Sequence, residues 1–299
     1  MSEPDAPMPS FRPRLFTRGA AIRLGVFAGA VALLSLYGWS RTIRMPGRSY
    51  AGALPALTAD EQVLRDRLRG HVETLAARIG ARSTSAPAGL ARAEAYVRAE
   101  LAGAGYTVTD EVFRADGMAC RNFIVERAGA SRRSEVVIIG AHYDGVLDKP
   151  AANDNASGTA ALIELARAFA RVDVARTLRF VAFTNEEPHH FQTESMGSLV
   201  NARRARRRGD DVVAMVSLET VGYYDLRAGS QRYPPPLSLF YPDRGDFIAF
   251  VGSTEMAPLV RHALATFRAG ARFPSEGTAL SARTPGVGWS DHWSYWQVG

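Results

Sequence analysis

Three apolar runs separated by helix-like stretches constrain this chain more than any other feature. "EVVIIGAHYD" (135–144), "TLRFVAFTNEE" (177–187) and "VVAMVSLETVGYY" (212–224) are strands that do not alternate apolar with polar. Between them lie "ASGTAALIELARAFAR" (156–171) and "ESMGSLVNARRARRR" (194–208), both helical in pattern. Strands apolar on both faces and returned to one sheet by helices indicate parallel pairing with cover on either side. The expected class is therefore α/β, a mixed, mostly parallel central sheet flanked by helices on both faces. Further strands are expected at "YTVTDEVF" (106–113), "NFIVER" (122–127) and "FIAFVG" (247–252), with a helix at "APLVRHALATF" (257–267).

Upstream of the sheet the chain divides by composition. Residues 1–23 form a basic tail. Residues 24–39, "LGVFAGAVALLSLYGW", are uncharged and mostly apolar, and as a helix would be about 24 Å long. That is close to the roughly 30 Å hydrocarbon core of a bilayer. Arginines precede the segment, as in a signal peptide, but no small-residue cleavage signal directly follows it, so an uncleaved transmembrane anchor is expected, with a cleaved signal segment as the alternative. The positive-inside rule orients it weakly, with the larger domain outside the cytoplasm. Residues 40–57 are a linker punctuated by Pro and Gly. Residues 58–299 are expected to form the main domain, opening at Thr58 and Glu61 with a capping-box pattern and continuing with Leu64, Leu68, Val72, Leu75 and Ile79 at helical spacing. A second helix is expected from Gly89 to Ala102.

Composition removes two classes of function. The net charge is +6, but seven arginines against Glu3 and Asp5 place +5 of it within residues 1–48. The remainder is close to neutral, so nucleic acid is not an expected partner. The basic run "RRARRR" (203–208) ends a helix, where cations suit the dipole. Cys120 is the single cysteine, which excludes an internal disulfide and a cysteine-based zinc site.

The chemistry lies at the carboxyl ends of the strands, where open α/β sheets bind ligands. The first run ends in His142 and Asp144, with Asp154 before the next helix. The second ends in Glu186 and Glu187, and the third in Glu219. "WSDHW" supplies His292 near the C-terminus. Charges at the end of a buried strand are costly unless paired or metal-bound. Imidazole with carboxylate oxygen suits Zn²⁺. Adjacent strand residues point to opposite sides, so Glu186 and Glu187 need a turn to serve one site, and Pro188 is the candidate cause.

"GAHYD", "NDNASGTAALIELARAFA", "RTLRFVAFTNEE", "SLETVGYY" and "SDHW", in that order, resemble the co-catalytic zinc exopeptidases of peptidase family M28 over about residues 80–299. The resemblance implies two Zn²⁺ ions per chain and a peptide or aminoacyl substrate. It implies His142 and Glu219 as ligands of one ion, Glu187 and His292 as ligands of the other, and Asp154 as the bridge. It implies Glu186 as general base and Asp144 as the carboxylate that orients His142. The leading expectation is a membrane-anchored aminopeptidase. Glutaminyl cyclase-like chemistry at one zinc and a non-catalytic receptor-type relative are the alternatives.

Three departures from the family pattern bear on this. Glu219 stands where many members have Asp, and Asn153 where another Asp is frequent. The chain stops seven residues after His292, where members usually continue with a strand and a helix, so the C-terminal end of the domain is expected to be incomplete. His189, His190 and His262 are read as non-ligands, and Cys120 as an inert buried thiol. The sequence sets no oligomeric state.

Overall fold

A computed structural model describes residues 17–299; most of the basic tail lies outside them. The apolar segment belongs to a longer helix, α1 (Arg18–Thr42), capped by the Thr17 hydroxyl and with no buried residue. It is long and apolar enough to cross a membrane. The chain after it lies against the far end of the sequence. Arg268 donates to the Pro46 carbonyl at 3.0 Å, and the Ser49 hydroxyl accepts from the Ser275 amide at 2.8 Å.

The capping box forms as expected. Thr58 accepts from the Glu61 amide, Glu61 accepts from the Thr58 amide, and α2 (Ala59–Val72) begins there. A wider turn follows over Glu73–Ile79, then α3 (Pro87–Gly103). β1 (Thr109–Ala115) is shifted toward the C-terminus of the expected run, β2 (Met118–Arg127) is longer than expected, and the two form one hairpin. Its two-residue turn is Asp116-Gly117, with φ of 50° and 76°. Asp-Gly is a favoured pair for a type I′ turn, because both positions need positive φ.

β3 (Arg132–His142), α4 (Gly158–Phe169), β4 (Arg176–Phe183), α5 (Gly197–Arg208) and β5 (Asp211–Ser217) supply the α/β alternation. The five strands lie in the order β1-β2-β4-β3-β5. β3 runs parallel to both β4 and β5, while β2 is antiparallel to β4. A parallel pair, β6 (Ile248–Ser253) and β7 (Ser275–Leu280), brackets α6 (Ala257–Gly270). The sequence reading did not foresee β7, whose run "SEGTAL" buries small residues and offers no apolar stretch. It also missed the short α7 (His292–Trp296).

Period-2 alternation sorts the strand side chains onto two cores. Phe123, Val125, Ala141, Phe180 and Ala182 pack with Leu90, Val97, Leu162 and Ile163 of α3 and α4. Ile124, Ile138, Val181 and Phe183 pack on the other face with Ala202 of α5 and Tyr295 of α7. Helices therefore cover both faces of the mostly parallel sheet. β4 and β5 stop at Phe183 and Ser217, short of the expected 187 and 224. The residues with acidic side chains leave the ladder and gather beyond the strand ends.

Candidate metal centre

His142 closes the central strand β3 and is fully buried. Thr159 of α4 fixes its backbone by donating to the His142 carbonyl at 2.8 Å. Around its ring stand four carboxylates. Nε2 is 3.2 Å from Asp154, 3.3 Å from Glu219 and 3.7 Å from Glu186, and Nδ1 is 3.5 Å from Asp144. None of these approaches is aligned as a hydrogen bond, and both ring nitrogens are buried without a partner. Burial alone would lower the His142 pKa. The carboxylates of Glu186 and Glu219, then Asp144 and Asp154, reverse that and raise it well above its ordinary value.

Each acidic group is placed by a separate local device. Asp154 sits in an irregular turn before α4, in extended backbone (φ −111°, ψ 98°). Next to it, Asn155 donates to the Leu218 carbonyl at 2.8 Å and accepts from the amides of Gly158 and Thr220. That side chain ties the Asp154 turn to the Glu219 loop. A methyl group at Gly158 would lie 2.1 Å from the Leu218 carbonyl, so only glycine permits this approach. Glu219 is further held by the Ser290 hydroxyl at 2.8 Å.

The adjacent glutamates turn for a different reason from the one expected. Asn185, with φ of 60°, bends the chain before Glu186, ahead of Pro188. Asp144 then accepts the amides of Glu186 (3.1 Å) and Glu187 (3.4 Å). Asp144 thus carries two tasks, standing behind the His142 ring and holding the glutamate turn. Glu186 is 6% exposed, and burial pushes its carboxyl up to about 9. Burial likewise lifts Glu187 to about 7, and its Oε1 has no partner.

Not all the expected residues converge equally. His142 Nε2 and one oxygen each of Asp154 and Glu219 lie within 4.8 Å of one another. Glu187 and His292 stand outside that trio. His292 Nε2 is 2.7 Å from the Val287 carbonyl, to which it can only donate. Its lone pair is therefore on Nδ1, a tautomer fixed by the same kind of bond that orients metal-bound imidazoles.

Two residues of the site were not identified from the sequence. Asp291 is fully buried with both oxygens unpartnered, and burial pushes it up to about 7, with Glu219 and Asp144 adding repulsion. Arg82 is also fully buried. Its guanidinium donates to the carbonyls of Tyr143, Pro150 and Ala151 at 2.6–2.7 Å. These bracket the loop that runs from His142 to Asp154. Burial draws the Arg82 pKa down to about 10, opposed by Asp144, Glu187 and Asp154. No periodic pattern marks either residue.

The donors fit a divalent cation. Unpartnered buried oxygens on Glu187, Glu219 and Asp291, with both His142 nitrogens, form an acidic shell that no arginine or lysine among the described residues contacts. Buried polar atoms are rarely left unpaired. Imidazole and carboxylate together are zinc donors.

The sequence profile of Peptidase family M28 matches residues 122–266. Escherichia coli (strain K12) YfbL is 34% identical over 241 residues, covering 78% of this chain and 73% of YfbL. Other curated relatives are matched over as little as 12% of their length. Among solved structures, BSAP, a zinc aminopeptidase from Bacillus subtilis, superposes with a TM-score of 0.57 at 14% identity, covering 78% of this chain and 82% of that one. An Acidobacteriales bacterium glutaminyl cyclase gives 0.54 at 18% identity, covering 83% and 81%. At such identities the two structures establish the fold.

Proposed function

Because this chain belongs to peptidase family M28, we propose that it is a dizinc aminopeptidase anchored in a membrane by α1. The observation that carries the reading is the shell of carboxylates, contacted by no arginine or lysine among the described residues, around the buried His142 imidazole. His142, Asp154 and Glu219 would hold one zinc, and Glu187 and His292 with Asp154 would hold a second. When bound there, zinc lowers the pKa of a coordinated water toward about 7 and polarises a substrate carbonyl.

The chain's own residues do the rest. Glu186, buried beside the His142 ring, takes a proton from the attacking water and delivers it to the departing amine. Burial raises its proton affinity, and the positive charge of zinc in the shell would draw it back toward the operating range that a general base needs. Asp144 holds Glu186 by its amide, so the base cannot drift from the ligands. The acidic excess favours a substrate with a free α-amino group, which supports cleavage at the N-terminus. A peptide or aminoacyl compound is the partner, and the catalytic domain lies on the periplasmic or extracellular side.

A panel of aminoacyl and N-blocked peptides tests this. Zinc-dependent release of N-terminal residues from free peptides, with blocked peptides inert, is expected. Pyroglutamate formation from N-terminal glutamine without peptide hydrolysis would instead establish cyclase chemistry.

A further inference from the structure

The loop that leaves Glu187 carries a second constellation outside the catalytic shell. Pro188 is followed by His189 and His190. His189 has φ of 70°, and the two imidazoles stand with ring centroids 4.3 Å apart. Facing them is Asp116, at the tip of the β1–β2 hairpin. One oxygen of Asp116, Oδ2, lies 2.9 Å from His189 Nε2 and 3.0 Å from His190 Nε2. The Thr84 hydroxyl is 3.1 Å from the same His190 nitrogen. The three segments are far apart in sequence and meet only here.

We propose that Asp116, His189 and His190 form a third metal site, for a zinc-class divalent ion, that staples the loop bearing Glu186 and Glu187 to the β1–β2 hairpin. The ligand atoms all lie within 4.8 Å of one another. Tetrahedral zinc with bonds of about 2.0–2.1 Å sets its ligand atoms about 3.3 Å apart. The two observed separations from Asp116 are within a few tenths of an ångström of that edge. Two imidazoles and one carboxylate select zinc-class ions over magnesium and calcium, which take oxygen. The fourth position is open to water or the Thr84 hydroxyl. His190 is buried and His189 is half exposed, so an ion can enter from solvent without disturbing the core.

The site is separate from the catalytic one but shares a wall with it. A cavity between them is lined by Thr84, Asp144, Glu187 and His190. The backbone is continuous as well, since the His190 amide donates to the Glu187 carbonyl at 3.1 Å. Occupancy would therefore fix the loop that presents the base.

The test is zinc content per chain. Full-length protein is stripped with chelator, reloaded with zinc, desalted and analysed by elemental mass spectrometry. The comparison is wild type against His189→Gln/His190→Gln and, separately, Asp116→Gly, which suits the positive φ of that turn. Both variants are expected to retain one ion fewer than wild type, and the same single-ion loss is expected in a His142→Ala background. Because only the difference is read, failure of the dizinc reading changes the baseline and leaves this result intact. Equal zinc content in wild type and Asp116→Gly would overturn the proposal.

Discussion

Two buried histidines face buried glutamates in this protein, and they end in opposite states. His71 sits between α2 and α4, its Nδ1 2.6 Å from the Tyr96 hydroxyl and its Nε2 3.0 Å from Glu164. Arg67 and Arg167 approach the same Glu164 at 2.9 and 3.1 Å. Burial would raise the Glu164 pKa, but His71 and the arginines outweigh it and hold the carboxyl below its ordinary value. His142 is surrounded by carboxylates with no arginine in contact among the described residues, and Glu186 rises to about 9. The first cluster contains its own counter-charges and is structural. The second has only the His142 imidazole against several carboxylates, and that deficit is what a metal would fill. Burial and residue type are alike in both, so arginine counter-charge is the distinguishing property.

The largest expected effect comes from Glu186→Gln. Removing a general base should lower kcat/KM about 10³-fold with zinc content and unfolding midpoint unchanged. An active variant would remove Glu186 from the mechanism. Glu164→Gln should do the reverse, since loss of one partner from a buried ion network costs about 3–5 kcal/mol. Its unfolding free energy should fall by that order while zinc content per folded chain stays constant. Zinc loss in Glu164→Gln would erase the contrast between the clusters.

How far the site was legible follows the same division. The strand-end residues His142, Asp154, Glu186 and Glu219 stand out because charge is anomalous beside an apolar run. Asp291 and Arg82 do not, because their significance lies in what surrounds them. Arg82 contacts carbonyls more than sixty positions away. Likewise the sheet was readable from apolar runs, whereas β7 buries small side chains and left no pattern. The hairpin turn at Asp116-Gly117 went unread, because residues 114–121 fell between the two expected apolar runs. Pro188 was the visible candidate for the glutamate turn, yet a positive φ at Asn185 makes it.

Arg82→Lys offers a smaller test of placement. Lysine cannot reproduce the planar fork that reaches Tyr143, Pro150 and Ala151 together. We expect kcat/KM to fall about tenfold with zinc still bound, since near-ångström misplacement of a catalytic shell is costly. An unchanged rate would make Arg82 a stability residue alone.

The smallest effect is one of pH on the chelated protein. Glu186, Glu187 and Asp291 have folded pKa values raised above those of the unfolded chain. Such groups favour folding below the ordinary carboxyl range, and that contribution is lost as pH rises through about 7 and then about 9. The melting temperature of chelated protein should therefore decline from pH 5 to 9, and zinc should flatten the decline. A decline of equal slope with and without zinc would separate these carboxyls from the metal.

The most direct measurement is anomalous diffraction at the zinc edge from crystals of the zinc-loaded chain. The account predicts a peak about 2.0–2.2 Å from His142 Nε2 and from carboxylate oxygens of Asp154 and Glu219. Crystals showing no anomalous density within reach of His142, in protein that hydrolyses peptides, would contradict it.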